Sequence, residues 1–233
     1  MLPLLLLFLS GCVHGPRIPG PLGPVGRAPL PAASYPPEPI PLPPSDRPPP
    51  ERQRPDPFGA ALADAASFYL EHEPKHYRRD CSGFVCAAAA RAGWPVQGNT
   101  QSLWDLATEQ GRVHHRKEPG VGDLAFFDQT YDRNRDGRLN DELTHVAVVI
   151  GVEEDGTVVL AHSGTRAGRT ELRMNLRHPH DHTDPLGKEI NGWLRQDLRT
   201  DPPGTPHLAA ECWRAFATLS PATQEAWETV DGS

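Results

Sequence analysis

Residues 145–164 read HVAVVIGVEEDGTVVLAHSG. Two apolar runs rich in β-branched residues, 145–152 and 157–164, flank the turn-forming VEEDG. That is the signature of a β-hairpin. If Gly151 faces Gly156, His145 and His162 fall directly opposite each other, with Cβ atoms about 5 Å apart. A tighter turn at Asp155-Gly156 keeps them on one face but offsets them. Two imidazoles at the end of an otherwise apolar hairpin are poor core residues. They suit a general base and the group that orients it.

The pattern around the hairpin sets the fold class. Upstream, 58–72, 81–93 and 100–111 carry apolar residues at helical spacing, with Asp80 and Asn99 or Thr100 as caps and Gly93 and Gly111 as stops. Segments 123–128, 170–176 and 191–195 join the hairpin as predicted strands. Helices first and strands second predict an α+β domain, N-terminal helices packed on an antiparallel sheet. Beyond Asp201, HLAAECWRAFATL and then Ser220-Pro221 suggest a pair of tail helices, giving a C-terminal helical tail over 201–233.

The second predicted helix begins DCSGFV, residues 80–85. A helix N-terminus favours a thiolate, because unpaired amides and the helix dipole meet the sulfur. Taken alone, the hexapeptide favours Cys81 as a small buried apolar residue over a nucleophile. A nucleophilic cysteine needs a base, and the base needs an orienter. His145 and His162 are the candidates.

The chain has 233 residues, 27 prolines, four cysteines and a formal net charge of -7. Most prolines precede residue 58, so the core is built from about 58–200, one domain of ordinary size. No basic stripe appears, which argues against nucleic acid as a partner. Four cysteines are too few for a disulfide scaffold.

The N-terminal MLPLLLLFLSGC is an apolar run too short to span a bilayer. Its end, Leu9-Ser10-Gly11-Cys12, resembles the lipobox of bacterial lipoproteins, in which the cysteine is lipidated. The resemblance implies a signal peptide over 1–12 and a lipid anchor at Cys12. Val13, rather than Asp, after that cysteine implies the periplasmic face of the outer membrane. Residues 13–57 are Pro-rich and read as a disordered tether. In polyproline form it reaches at most roughly 140 Å.

DCSGFV, PGVGDLAFFD, THVAVVIG and LAHSG, in that order, resemble the NlpC family of papain-like cell-wall cysteine peptidases. The resemblance covers about 58–198 and includes a closing GWLR strand. It implies Cys81 as nucleophile, His145 as general base and His162 as orienting residue. It implies that Asp80 and Ser82 bind the amine and carbonyl of a short muropeptide. It further implies hydrolysis between D-glutamate and a diamino acid through an acyl-enzyme, by a monomer with no required cofactor. Two departures stand out. The usual aromatic-x-x-Gly-Gly before the cysteine is replaced by EPKHYRRDC, where Tyr77 is the substitute aromatic. An insertion, YDRNRDGRLNDELTH, also precedes His145.

In that insertion Asp132, Asn134, Asp136 and Gly137 match positions 1, 3, 5 and 6 of a calcium loop. The closing acid is out of register, with Glu142 next to the position where it belongs. The loop reads as a candidate structural Ca²⁺ site or as an Asx-rich turn. His178, His180 and His182 read as a solvated loop or a zinc site. Cys86 and Cys212 are a candidate disulfide. Trp94, Trp104 and Trp193 read as core. Competing functional readings are a muramoyl-alanine amidase, a transpeptidase of related fold, or a catalytically idle wall-binding lipoprotein.

Overall fold

The computed structural model describes residues 57–164, 168–195, 199 and 201–221. The lipobox with Cys12, residues 13–56 of the 13–57 tether and the tail beyond 221 lie outside the described residues; Pro57, assigned to the tether, opens the first helix instead. No helix among the described residues is long and apolar enough to cross a membrane.

Three helices come first: α1 (Pro57–Glu71), α2 (Cys81–Arg91) and α3 (Thr100–Glu109). Pro57 opens α1 at a position where a missing N–H costs nothing. Asp80 caps α2, its side chain accepting from the Gly83 amide at 2.6 Å. Asn99 and Ser102 form a reciprocal cap on α3. The alanines of α2 are almost wholly buried, so the helix packs close to its neighbours.

The strands are β1 (Val113–His114), β2 (Leu124–Phe127), β3 (His145–Val152), β4 (Val158–Gly164), β5 (Gly168–Met174) and β6 (Trp213–Ala217). They form one antiparallel sheet in the order β1-β6-β2-β3-β4-β5. The helices cover one face, where Leu62, Phe84, Val85, Leu103, Phe126, Val146 and Val148 form a core. The other face buries Phe127, Val149, Val158, Leu160, Met174 and Phe216. This is the expected α+β, papain-like arrangement, with Cys81 at a helix N-terminus.

Contrary to its helical spacing, HLAAECWRAFATL is not a helix. Only Ala209–Cys212 is helical (α4), and the chain then runs straight into β6. Leu124–Phe127 is buried along its whole length, and β6 covers it on the side away from β3. An apolar strand of that kind cannot remain an edge, and pairing outweighs local helical spacing. Residues 191–195 form no strand; Trp193 makes one isolated bridge to Leu208. Trp193 is also 63% exposed, unlike Trp94 and Trp104, which pack with the helix-side core.

The turn before β2 is held against α1 by Gly122, which has φ of 91°. A Cβ there would lie 2.2 Å from the Gly59 carbonyl oxygen. Gly122→Ala should therefore destabilise the fold by at least about 2 kcal/mol, from left-handed strain plus overpacking. Urea unfolding of the variant checks this.

Candidate active site

The β3–β4 hairpin sets the histidines, through a register that neither sequence-based alternative anticipates. Gly151 faces Val159, not Gly156, and Val152 faces Val158. The turn closes with Glu153 donating to Thr157 and Gly156 to Glu153. That register, carried on unchanged, would set His162 against Val148 and put the imidazoles on opposite faces. It is not carried on. A β-bulge at Ile150 shifts the pairing to Val149↔Leu160 and Val148↔Ala161. One more step of this ladder places His162 beside Ala147, on the face that His145 shares. The two are thus diagonal neighbours rather than directly opposed.

The imidazoles meet nearly at right angles, with ring centroids 5.0 Å apart and His145 Nε2 2.8 Å from His162 Nδ1. Both are buried. Burial and the neighbouring His162 charge hold His145 well below the usual imidazole value. Burial alone takes His162 down to about 4. Both rings are therefore neutral at pH 7, and one must donate to the other. If His145 Nε2–H donates to His162 Nδ1, His145 Nδ1 keeps its lone pair and can accept a proton. In the reverse tautomer the lone pair of His145 is on Nε2, already taken by His162 Nδ1–H, and Nδ1 carries the proton.

Cys81 opens α2 and lines a cavity of about 480 Å³ together with His145 and His162. Its Sγ lies 3.7 Å from Thr100 Oγ1, at the start of α3. Burial pushes the thiol above its ordinary value, and the Asp80 carboxylate pushes the same way; the Thr100 hydroxyl and the Val146 and Ser82 backbone amides pull against this without offsetting it. The resting sulfur is thus a thiol, not the thiolate expected from a helix start. Desolvation at this depth outweighs the helix terminus.

Asp80 and Ser82 also line the cavity. Their polar atoms are already engaged. Ser82 Oγ donates to Asp80 Oδ1 at 3.0 Å and accepts from Arg78 at 2.8 Å. Arg78 also reaches Asp80 Oδ2 and the Gly98 carbonyl. Gly83 is required here, since a Cβ would lie 2.1 Å from the Arg78 carbonyl oxygen. Tyr77 packs half-buried against the helix-side core and is not among the residues lining the cavity. Arg78 and Tyr131 carry no signal in the sequence, and Thr100 shows there only as a candidate helix cap. Tyr131, at the head of the insertion, lines the cavity, and its hydroxyl is pushed up by burial and by Cys81.

The insertion is closed at its neck by Gln129 N to Asp141 O, Leu143 N to Asp128 Oδ1, and Thr130 N to Thr144 Oγ1. Asp132 accepts from the Asp136 and Gly137 amides, Asn134 from Asp136, and Asp136 from Arg138. Glu142 lies 3.1 Å from Arg214 instead. Among the described residues no three His, Cys, Asp or Glu side chains are grouped as a metal site. As folded, these oxygens accept from the loop's own amides. His178, His180 and His182 turn to Asp181, Glu211 and the Asn191 carbonyl respectively. The Cys86–Cys212 disulfide does not form. Both thiols are free, one in the helix-side core and the other in the core across the sheet.

Residues 72–164 match the CHAP domain. The match covers less than half of the chain but holds Cys81, His145 and His162. It is in line, in general terms, with a peptidoglycan hydrolase. A CHAP-type domain is typically a cysteine peptidase or amidase. Among solved structures, a protein of Staphylococcus aureus subsp. aureus Mu50, described as similar to lipoprotein, NLP/P60 family, is 23% identical. That likeness covers 52% of this chain and 39% of the other, with a TM-score of 0.33. The chain thus spans well under two thirds of that protein. No curated protein matches the chain.

The two buried imidazoles make stability depend on pH. Unfolded histidine titrates near 6.5, and folded His162 at about 4. The unfolded chain therefore binds more protons between these values, so stability falls as pH drops through that window and levels off below it. For His162 alone the loss is roughly 3 kcal/mol. His162→Gln should flatten that part of the profile, as read from urea midpoints against pH.

Proposed function

We propose that this chain is a cysteine hydrolase of peptidoglycan stem peptides, acting as an endopeptidase of the D-glutamyl–diamino acid type. The observation that carries the reading is the His145 Nε2 to His162 Nδ1 contact in the cavity that Cys81 lines. Sγ of Cys81 attacks the scissile carbonyl carbon while its proton passes to Nδ1 of His145. With the thiol raised and the imidazole lowered, the proton leaves sulfur only as the sulfur–carbon bond forms. His162 accepts from Nε2–H and steadies the imidazolium.

The developing oxyanion faces the first turn of α2. There the Gly83 and Phe84 amides are taken by Asp80, and the Cys81 amide supplies the donor. His145 then returns its proton to the leaving amine, giving a thioester. Water, deprotonated by the same nitrogen, releases the acid and restores the thiol.

A second reading, muramoyl-alanine amidase, has one observation in its favour. The Asp80 carboxylate is engaged by Gly83, Ser82 and Arg78, so it is not free to hold a substrate amine. The domain would act in the cell envelope, at the periplasmic face of the outer membrane. The 13–57 tether and a lipid on Cys12 would hold it there. The loop around Asp132 would brace the strand of His145, and a Ca²⁺ requirement would show as a lower melting temperature in EDTA.

Defined muropeptides incubated with the purified chain test the reading, with products weighed by mass spectrometry. Cleavage between D-glutamate and the diamino acid is expected, and Cys81→Ala should lose it by at least about a thousandfold. Release of an intact stem peptide from the sugar would favour the amidase. No cleavage, or equal cleavage by the alanine variant, would overturn both.

A further inference from the structure

The catalytic cavity continues past Ser163 and Gly164. A second cavity of about 340 Å³ shares Arg79, Asp80, Ser163 and Gly164 with the first. Arg78, Arg79 and Arg169 line it, against the carboxylates of Glu73 and Asp80. Two of these arginines are paired. Arg78 Nε lies 3.2 Å from Asp80 and Arg79 lies 2.6 Å from Glu73. Arg169 is not. Among the described residues no carboxylate is within ion-pair distance of it, and its Nε is buried with no hydrogen-bond partner.

Arg169 stands on β5 directly opposite Ser163 of β4, so both side chains leave the same face of the sheet. A buried N–H without an acceptor is costly, and a guanidinium cannot lose its charge to relieve it. The fitting acceptor is an anion, and the guanidinium fork matches a carboxylate in shape. Asp80, by contrast, has both oxygens engaged by neighbours. The cavity adjoining the one that Cys81 lines therefore offers a free cation where an amine-binding enzyme would offer a free anion.

We propose that the second cavity is a carboxylate subsite centred on Arg169, which selects acidic peptides whose carboxylate neighbours the bond held at Cys81. The inference rests on the hydrolase reading for the identity of that bond. Its test does not depend on turnover. Two stem peptides are compared, identical except that one acidic residue carries a free carboxylate or a primary amide. Their binding to the full chain carrying Cys81→Ala is measured by calorimetry.

The free acid should bind about ten- to a hundredfold more tightly, the range for one charged hydrogen-bonding partner. Adding Arg169→Met should abolish the preference by weakening only the acid, and Arg169→Lys should keep part of it. An unchanged melting temperature shows that the methionine variant is folded. Equal binding of the two peptides, binding of neither, or a preference that survives Arg169→Met would overturn the proposal. Failure of the unmodified chain to cleave either peptide would instead sink the hydrolase reading and leave the binding preference standing.

Discussion

Two imidazoles that touch at 2.8 Å out of water have to share their protons unequally. Charging either one is opposed by burial, and charging His145 is opposed by His162 as well. The pair is thus confined to its neutral forms, and only one tautomer leaves Nδ1 of His145 free to accept a proton. Phe127 of β2, opposite His145 in the sheet, has its ring 5.9 Å from that imidazole and helps to hold it. The chemistry proposed at Cys81 depends on this contact, because among the described residues these are the two imidazoles that line the cavity.

The contact depends in turn on the one unpaired residue in β3. The turn register and the histidine register differ by one, and Ile150 absorbs the difference. Side chains alternate faces with a period of two, so a one-residue shift decides whether His145 and His162 meet at all. Around them the sheet is buried on both faces, and β6 closes the flank of β2. A slip of β3 would have to disturb both cores at once.

The segment before Cys81 does comparable work on the other side of the cavity. Arg78 ties Asp80, Ser82 and the Gly98 carbonyl into one network, and its own carbonyl passes close over Gly83. Substituents that could have met a substrate amine are used to fix the start of α2. The charge left over is positive and lies further along the cleft, on Arg169.

Much of this was legible in the order of residues. The three helices, the caps of the second and third, four of the strands and the α+β class follow from spacing and from Asp, Asn and Gly at element ends. Cys81, His145 and His162 stand out because a helix start and two strand positions carry side chains that a core does not need. The strand at 213–217 was not legible. Its apolar spacing also suits a helix, and only the exposed flank of β2 decides between them. The disulfide failed for a similar reason, since sequence does not reveal that a sheet lies between Cys86 and Cys212. Local chemistry thus determined which residues could react and where elements begin. Tertiary structure decided the register that joins the histidines, the burial that keeps sulfur protonated, and the engagement of Asp80. Each of these arises from contacts between segments far apart in the chain, whose free energies no local pattern contains.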